Sequence, residues 1–387
     1  MLPGPLLWAR RGSRSTVGTH WPRKEIMGAL PISLRLLRAF FCLTFLGLSL
    51  HLGGDSYATP LFNDSVLLTR TSRFMGLSSP NLPMRRIVVF GDSLSDTEGR
   101  LAAYTGGVMP PAPLYWRSRL SNGPLGVEYI AAAMGLPLVS YATAGARLTQ
   151  YGNYGFMPAA LGHLWAPPLQ FQFEAFNQDG GYFNADDLVV LWIGNNDFML
   201  EPRSARGEDY CASTLEAVAF LRSRGARQLI LFGVADVALT PFSRRGGSQI
   251  PSEDLKHLLK THNQCLKQSL EKMQRQHPDE RLDFVDLTGI INHIWSHPAN
   301  YGLRDTENPC LTGSTFPTIT IPLPPIPPLI LGHMLGSCRD QNSQMFWDAW
   351  HPNTVIHCIA SLEVLKQLGQ KGWIARFDED PASKLCF

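Results

Sequence analysis

The chain has 387 residues, 44% hydrophobic and 17% charged, enough to bury a sizeable core in one large domain or two small ones. Its formal net charge is +2, and no basic stripe interleaves with aromatic residues. Nucleic acid is therefore not an expected partner.

The chain opens on what reads as an export segment. Arg35 and Arg38 precede an apolar run from Ala39 to Leu50, followed by Gly53-Gly54 and Ser56-Tyr57-Ala58. A basic flank, an apolar stretch of about 12 residues and a small-x-small site are the layout of a secretory signal. The run is shorter than the ~20 apolar residues of a spanning helix. Cys42 lies inside the run, not at its exit, which argues against a lipoprotein anchor. The expected organisation is a signal region over 1–58, with Met27 as the true start, and a single domain over 59–387. The mature protein is expected to be secreted.

Export places the six remaining cysteines, Cys211, Cys265, Cys310, Cys338, Cys358 and Cys386, in an oxidising compartment. Sequence alone does not choose among their pairings. Cys310 with Cys338 is the favoured pair, because the two bracket a distinctive segment. Cys211 and Cys265 are either bonded or buried free thiols acting as small hydrophobes.

Along the mature chain, Arg85-Arg86-Ile87-Val88-Val89 predicts a buried strand that runs into Phe90–Gly99, F-G-D-S-L-S-D-T-E-G. Ser93 then stands at a strand's carboxyl end, where open α/β sheets gather their chemistry. A Pro/Gly-rich loop follows over 106–113, and Ser121-Asn122-Gly123-Pro124 starts a helix over 125–134 that Gly135 ends. Strands are predicted over 138–143, which delivers Gly145, and over 187–193, 227–234 and 282–287. Helices are predicted over 214–223, over 252–274 with Ser252, Glu253 and Asp254 as its cap, and over 354–368, closed by Gly369. Alternating strands and helices predict an α/β fold, a parallel sheet with helices on both faces.

Residues 317–331, P-T-I-T-I-P-L-P-P-I-P-P-L-I-L, break the pattern. Their prolines forbid a helix or central strand and favour an extended polyproline conformation. The other residues are mostly apolar, so the segment is either a flap packed on the core or a hydrophobic lid near the active site. Closing it with Cys310–Cys338 would stabilise the fold by roughly 3 kcal/mol in the chain-entropy model.

The residues able to do chemistry come in a telling order. A serine hydroxyl needs a base to take its proton. His351 is the candidate base for Ser93, and Asp348, three residues earlier, can hold the imidazole in one tautomer. Candidate oxyanion donors are the backbone N–H of Ser93 or its neighbour, the backbone N–H of Gly145 and the side-chain amide of Asn196. Gly145 could instead be an ordinary turn glycine and Asn196 an Asx-turn residue. Asp92 and Asp197 read as structural, bonding loop N–H groups; Asp96 and Glu98 read as solvent-facing. No Gly-x-Ser-x-Gly elbow occurs, which excludes an ordinary α/β-hydrolase. Asp283 and Asp286 read as strand-edge residues. His257, His262, His333 and His357 show no metal-ligand spacing.

These residues resemble the GDSL/SGNH hydrolase superfamily. The matching blocks are F-G-D-S-L-S-D at 90–96, A-T-A-G-A at 142–146, G-N-N-D at 194–197 and D-A-W-H-P at 348–352. R-L-S-N-G-P at 119–124 and F-W-D-A-W-H-P at 346–352 are similar to its secreted lipolytic branch of phospholipases A, lysophospholipases A, haemolysins and glycerophospholipid:cholesterol acyltransferases. The resemblance implies a flavodoxin-like three-layer α/β/α fold with a mainly parallel five-stranded sheet. It implies ester hydrolysis by Ser93, His351 and Asp348, with Ser93, Gly145 and Asn196 as the oxyanion hole and no metal or cofactor. The implied partners are phospholipid or lysophospholipid, cholesterol as an acyl acceptor, a transient membrane-surface contact and an activating protease that opens the 310–338 loop. A carbohydrate or small-molecule esterase is the alternative. One departure stands out: Gly233-Val234-Ala235-Asp236 replaces the usual N-L-P-D, which bears on acyl-chain preference. A binding protein on a dead scaffold is disfavoured, because every catalytic position is filled.

Overall fold

A computed structural model describes residues 82–107, 109–110, 114–148, 168–200, 207–312, 336–375 and 386. All of them belong to the compact unit Pro60–Phe387. The expected export segment and the Pro-rich stretch 317–331 lie outside the described residues.

Five strands form one parallel sheet: β1 (Arg86–Gly91), β2 (Leu138–Ser140), β3 (Asp187–Trp192), β4 (Gln228–Phe232) and β5 (Arg281–Val285). Their order is β2-β1-β3-β4-β5, the flavodoxin-like arrangement the resemblance implied. Side chains alternate between the two faces, as a strand's period of two requires. Ile87, Val89, Leu188, Val190, Trp192, Ile230 and Phe232 point into one core. Val88, Phe90, Val189, Leu191, Leu229 and Leu231 point into the other. Burial on both faces is why these strands read as unbroken apolar runs.

Two helix layers cover the faces. After the short α1 (Arg100–Tyr104) come α2 (Gly126–Met134), α3 (Leu169–Gln178), α4 (Asn195–Leu200), α5 (Gly207–Ser223), α6 (Ser252–Gln276), α7 (Leu287–Ser296) and α8 (Thr354–Gln370). Val127 and Ile130 of α2, Ile294 of α7, and Val355, Ile359 and Leu365 of α8 fill the first core. Phe176 of α3, Val218 and Leu221 of α5, and Leu266 and Leu270 of α6 fill the second. The result is a three-layer α/β/α stack.

Several boundaries differ from the sequence reading. Helix α3 has no counterpart in it, and α5 starts at Gly207 instead of Thr214. The second strand ends at Ser140, because the chain turns there toward Gly145. Strand β5 ends at Val285, since Asp286 caps α7 by accepting from Gly289 N at 3.0 Å. Ser252 makes no capping bond; Pro251 precedes the helix and Ser252 lies in its first turn. Helix α8 runs through Gly369, and the turn falls at Gly372, where φ is 69°.

The six cysteines form three disulfides. Cys310–Cys338 is the favoured pair; Cys211–Cys265 joins α5 to α6, so neither thiol is free, and Cys358–Cys386 ties α8 to the carboxyl-terminal region. Cys310 sits between β6 (Asp305–Pro309) and β7 (Leu311–Thr312), while β8 (Gly336–Ser337) leads into Cys338. Strand β7 pairs with β8, and β6 with β9 (Gln344–Phe346). The disulfide and both small ladders therefore stand directly before Asp348.

Candidate active site

Ser93 follows β1 at the switch point of the sheet, where β2 and β3 flank β1 on opposite sides. In open α/β sheets ligands bind at such points, beyond the strands' carboxyl ends. Gly91 lets β1 run close to β3: a Cβ there would stand 2.4 Å from Trp192 O. Asp92 then ties three strand ends together. Its Oδ1 accepts from Leu94 N at 3.0 Å and its Oδ2 from Asn195 Nδ2 at 3.0 Å, while Asn195 Oδ1 accepts from Ala235 N at 3.1 Å. Burial pushes the Asp92 carboxyl up to about 6, against the pull of the Asn195 and Leu94 bonds. Asp92 has the structural place expected of it. So does Asp197, which accepts from Leu148 N at 3.1 Å.

Asp348 and His351 arrive from the turn between β9 and α8. Asp348 is wholly buried, and its Oδ1 accepts from Trp350 N at 2.7 Å and from His351 N at 2.8 Å, which closes the turn. His351 Nδ1 lies 2.9 Å from Oδ1 and 2.8 Å from Oδ2. An ionised carboxylate only accepts, so Nδ1 carries the imidazole proton and Nε2 keeps its lone pair. That Nε2 lies 3.0 Å from Ser93 Oγ. Burial works to raise the Asp348 carboxyl, but its electrostatic attraction to His351 and the hydrogen bonds from His351, Tyr115 and Trp350 outweigh it and hold it below its ordinary value. Asp348 thus stays an anion beside the imidazole.

The loop carrying Gly145 follows β2. Gly145 has φ 81°, a left-handed conformation that a side chain would strain. Ahead of it, Ala144 N donates to Asp96 Oδ2 at 3.0 Å; Asp96 also accepts from Arg100 N at 2.7 Å and Leu101 N at 3.1 Å. Asp96 is therefore buried, contrary to the expectation that it faces solvent, because two first-turn amides of α1 and the loop amide of Ala144 require an acceptor there. Glu98 is exposed, as expected. Asn196 lies in the first turn of α4, and its Nδ2 donates to Ala146 O at 2.9 Å. An amide NH2 has a second donor, so this bond orients the group without consuming it. Gly194 packs closely on the Gly233–Asp236 loop, since a Cβ there would stand 2.9 Å from Val234 Cγ2. Asn263 holds the same loop through both Val234 N at 2.9 Å and Val234 O at 2.8 Å.

The remaining candidates lie elsewhere. Asp283 is buried on edge strand β5, bonded to Gln367 Nε2 at 2.9 Å and to Lys371 Nζ. Burial lowers His262 to about 4 and His357 to about 3, and His357 Nδ1 accepts from Gly126 N at 3.2 Å. Among the described residues no cluster of three or more His, Cys, Asp or Glu could hold a metal ion. His333 lies outside the described residues.

Sequence reasoning missed three residues around the site. Gln172 grips Gly91, Asn195 bridges Asp92 to the loop after β4, and Tyr115 Oη donates to Asp348 Oδ2 at 2.7 Å. Asn195 stood within the G-N-N-D block. The other two carried no local signal.

This geometry can pass a proton from a serine to an imidazole beside a fixed anion. A family model for GDSL-like Lipase/Acylhydrolase matches residues 87–363. The chain belongs to the GDSL-like lipase/acylhydrolase family. This lipolytic hydrolase is 29% identical over 307 residues to the phosphatidylcholine-sterol acyltransferase of Aeromonas hydrophila, a match covering 71% of this chain and 88% of that protein. It is 24% identical over 227 residues to the secreted effector protein SseJ of Salmonella typhimurium, covering 58% of this chain and about half, 52%, of that protein. A crystal structure of a lipolytic G-D-S-L family protein from Veillonella parvula aligns over 73% of this chain and 97% of that one, with 10% identity and a TM-score of 0.37. The three disulfides of the hydrolase fit an extracellular protein.

Proposed function

We propose that this hydrolase is a secreted enzyme that cleaves the fatty-acyl esters of phospholipid or lysophospholipid, with Ser93 as nucleophile, His351 as general base and Asp348 as its orienting anion. The observation that carries this reading is the unbroken chain from Asp348 Oδ2 to His351 Nδ1, 2.8 Å, and from His351 Nε2 to Ser93 Oγ, 3.0 Å. Ser93 Oγ attacks the ester carbonyl carbon while its proton passes to Nε2. The tetrahedral oxyanion is met by Ser93 N–H, Gly145 N–H and the second Asn196 Nδ2–H, each such donor typically contributing about 100- to 1,000-fold in rate. Nε2 then protonates the departing alkoxide, leaving an acyl-Ser93 ester. Water, or a sterol hydroxyl, gives its proton to Nε2 and attacks that ester, and Ser93 recovers the proton as it leaves.

The similarity to the phosphatidylcholine-sterol acyltransferase of Aeromonas hydrophila supports a phospholipid substrate and a sterol acceptor. The apolar residues of 317–331 support a transient contact with a lipid surface. The basic, apolar and small-residue layout of 35–58, with the three disulfides, supports export.

The test is fatty-acid release from lysophosphatidylcholine vesicles, with and without cholesterol, before and after limited proteolysis between Cys310 and Cys338. Release that vanishes in Ser93→Ala supports the reading, and cholesteryl ester among the products adds the acyl transfer. A folded protein that releases no fatty acid but cleaves acetylated sugars is instead a small-ester esterase.

A further inference from the structure

The two oxygens of Asp348 are held differently. Oδ1 is fixed by its own turn, through Trp350 N and His351 N. Both oxygens share the His351 Nδ1–H, at 2.9 and 2.8 Å, and the other donor to Oδ2 comes from far away in sequence: the Tyr115 hydroxyl, at 2.7 Å. Tyr115 is 3% exposed and Asp348 is 0% exposed, so bulk water does not compete for this bond.

The ring that carries the hydroxyl is itself fixed. Leu114 O accepts from Trp347 Nε1 at 3.1 Å, so the pair Leu114-Tyr115 is bonded twice to the pair Trp347-Asp348. Trp347 N in turn donates to His351 O at 2.8 Å. Tyr115 packs in one apolar cluster with Leu101, Met109, Leu120, Cys310 and Trp347. Cys310 N and Leu311 N donate to Phe346 O at 2.9 Å and Trp347 O at 2.8 Å, which seats the disulfide segment on the same stretch.

We propose that Tyr115 is a positioning residue of the Ser93–His351–Asp348 chain, its hydroxyl holding the Asp348 carboxylate in the rotation that keeps Oδ2 on the His351 Nδ1–H. The inference rests on the catalytic reading above and adds a residue to it. A carboxylate gripped only at Oδ1 can rock about its Cβ–Cγ bond and carry the imidazole with it, spoiling the aim of Nε2 at Ser93. A hydrogen bond to a charged acceptor is stronger than one between neutral groups and is suited to this task. The Tyr115 hydroxyl is bonded to Asp348 and not to Ser93 or His351 Nε2, and the residue is buried, so its effect is expected on turnover and not on substrate affinity.

The experiment compares wild type, Tyr115→Phe and Ser93→Ala on a soluble p-nitrophenyl ester, and follows the deshielded Nδ1–H proton of His351 by NMR. Phenylalanine keeps the ring in its cluster and removes only the hydroxyl. The expected result is a kcat about tenfold lower with KM unchanged, and an Nδ1–H resonance that shifts or broadens. A kcat within twofold of wild type with the resonance unmoved, or a change confined to KM, overturns the proposal. If Tyr115→Phe does not fold, difluorotyrosine at position 115, a stronger donor, must move the same resonance; an unmoved signal overturns the proposal there too. Activity that survives in Ser93→Ala would instead sink the catalytic reading itself, so the two failures are distinguishable.

Discussion

Replacing Gln172 perturbs the end of the strand that presents Ser93. The Gln172 side chain, 3% exposed, accepts from Gly91 N at 2.9 Å and donates to Gly91 O at 2.7 Å. Gly91 N faces the β2 side of the sheet, where Ser140 ends that strand and no further carbonyl pairs with it. Gln172→Leu keeps the volume but strips this N–H of its acceptor, which costs about 1–3 kcal/mol for a buried donor. The carbonyl is less exposed to loss, since Thr143 N still donates to it at 3.2 Å. Losing one of its two bonds adds about 1 kcal/mol. A total of roughly 2–4 kcal/mol is expected, read as a shift in the urea midpoint with unchanged slope. Gln172→Glu separates the two halves: a carboxylate satisfies the N–H but opposes the carbonyl, so its deficit should shrink on acidification as the new side chain becomes a donor. A loss below about 0.5 kcal/mol in Gln172→Leu would refute the idea that this side chain completes the strand.

Asp348→Asn keeps the shape of the turn but presents a neutral amide to His351 Nδ1, favouring the wrong tautomer, so kcat should fall by about 10,000-fold with little change in folding. Reducing Cys310–Cys338, or replacing both with alanine, frees a span of 28 residues and should lower stability by about 3.6 kcal/mol in the chain-entropy model, against about 4.2 for Cys211–Cys265 and its span of 54; calorimetry of the two double mutants checks the order. The two buried histidines should also make stability fall with acid. Burial holds His262 near about 4 and His357 near about 3 in the fold, so unfolding takes up a proton at each as pH drops below ~6.5, whereas Asp92, held up to about 6, gives one back. Burial also raises the Asp96 and Asp236 carboxyls, which oppose the histidines in the same way, and His357→Gln, which can still accept from Gly126 N, should remove one histidine's share and so lessen the loss of stability between about pH 6 and 4, read from urea midpoints. Gly123→Ala would bring a Cβ to 2.7–2.9 Å from three atoms of Thr354, whose N and Oγ1 bond Asn122 Oδ1 and Pro124 O. The start of α8 must then yield, and a loss of about 1–3 kcal/mol is expected by thermal melts.

What was legible in the sequence was what local pattern encodes. Ile87, Val88, Val89 and Phe90 announce a strand buried on both faces, and the residues after it stand where such sheets place their chemistry. Ser93, Asp348 and His351 are side chains whose proposed roles demand those residue types, and the fold brings them within hydrogen-bond distance. Helix α3 was not legible because L-Q-F-Q-F alternates like a strand, while the contacts that decide it, Leu169, Gln172 and Phe176, follow helical spacing. Asp96 sits among polar neighbours that suggest exposure, yet the amides of Arg100, Leu101 and Ala144 draw it inside. Tyr115 and Asp348 meet across 233 positions of sequence, a contact no window of local sequence contains.

The most direct measurement on the central claim is active-site labelling with a fluorophosphonate, followed by peptide mass spectrometry. The expected result is a single phosphonyl adduct on Ser93, absent in Ser93→Ala and formed far more slowly in His351→Ala. An adduct on another serine, or labelling of Ser93 undiminished by His351→Ala, would contradict a nucleophile activated through the 3.0 Å contact between His351 Nε2 and Ser93 Oγ.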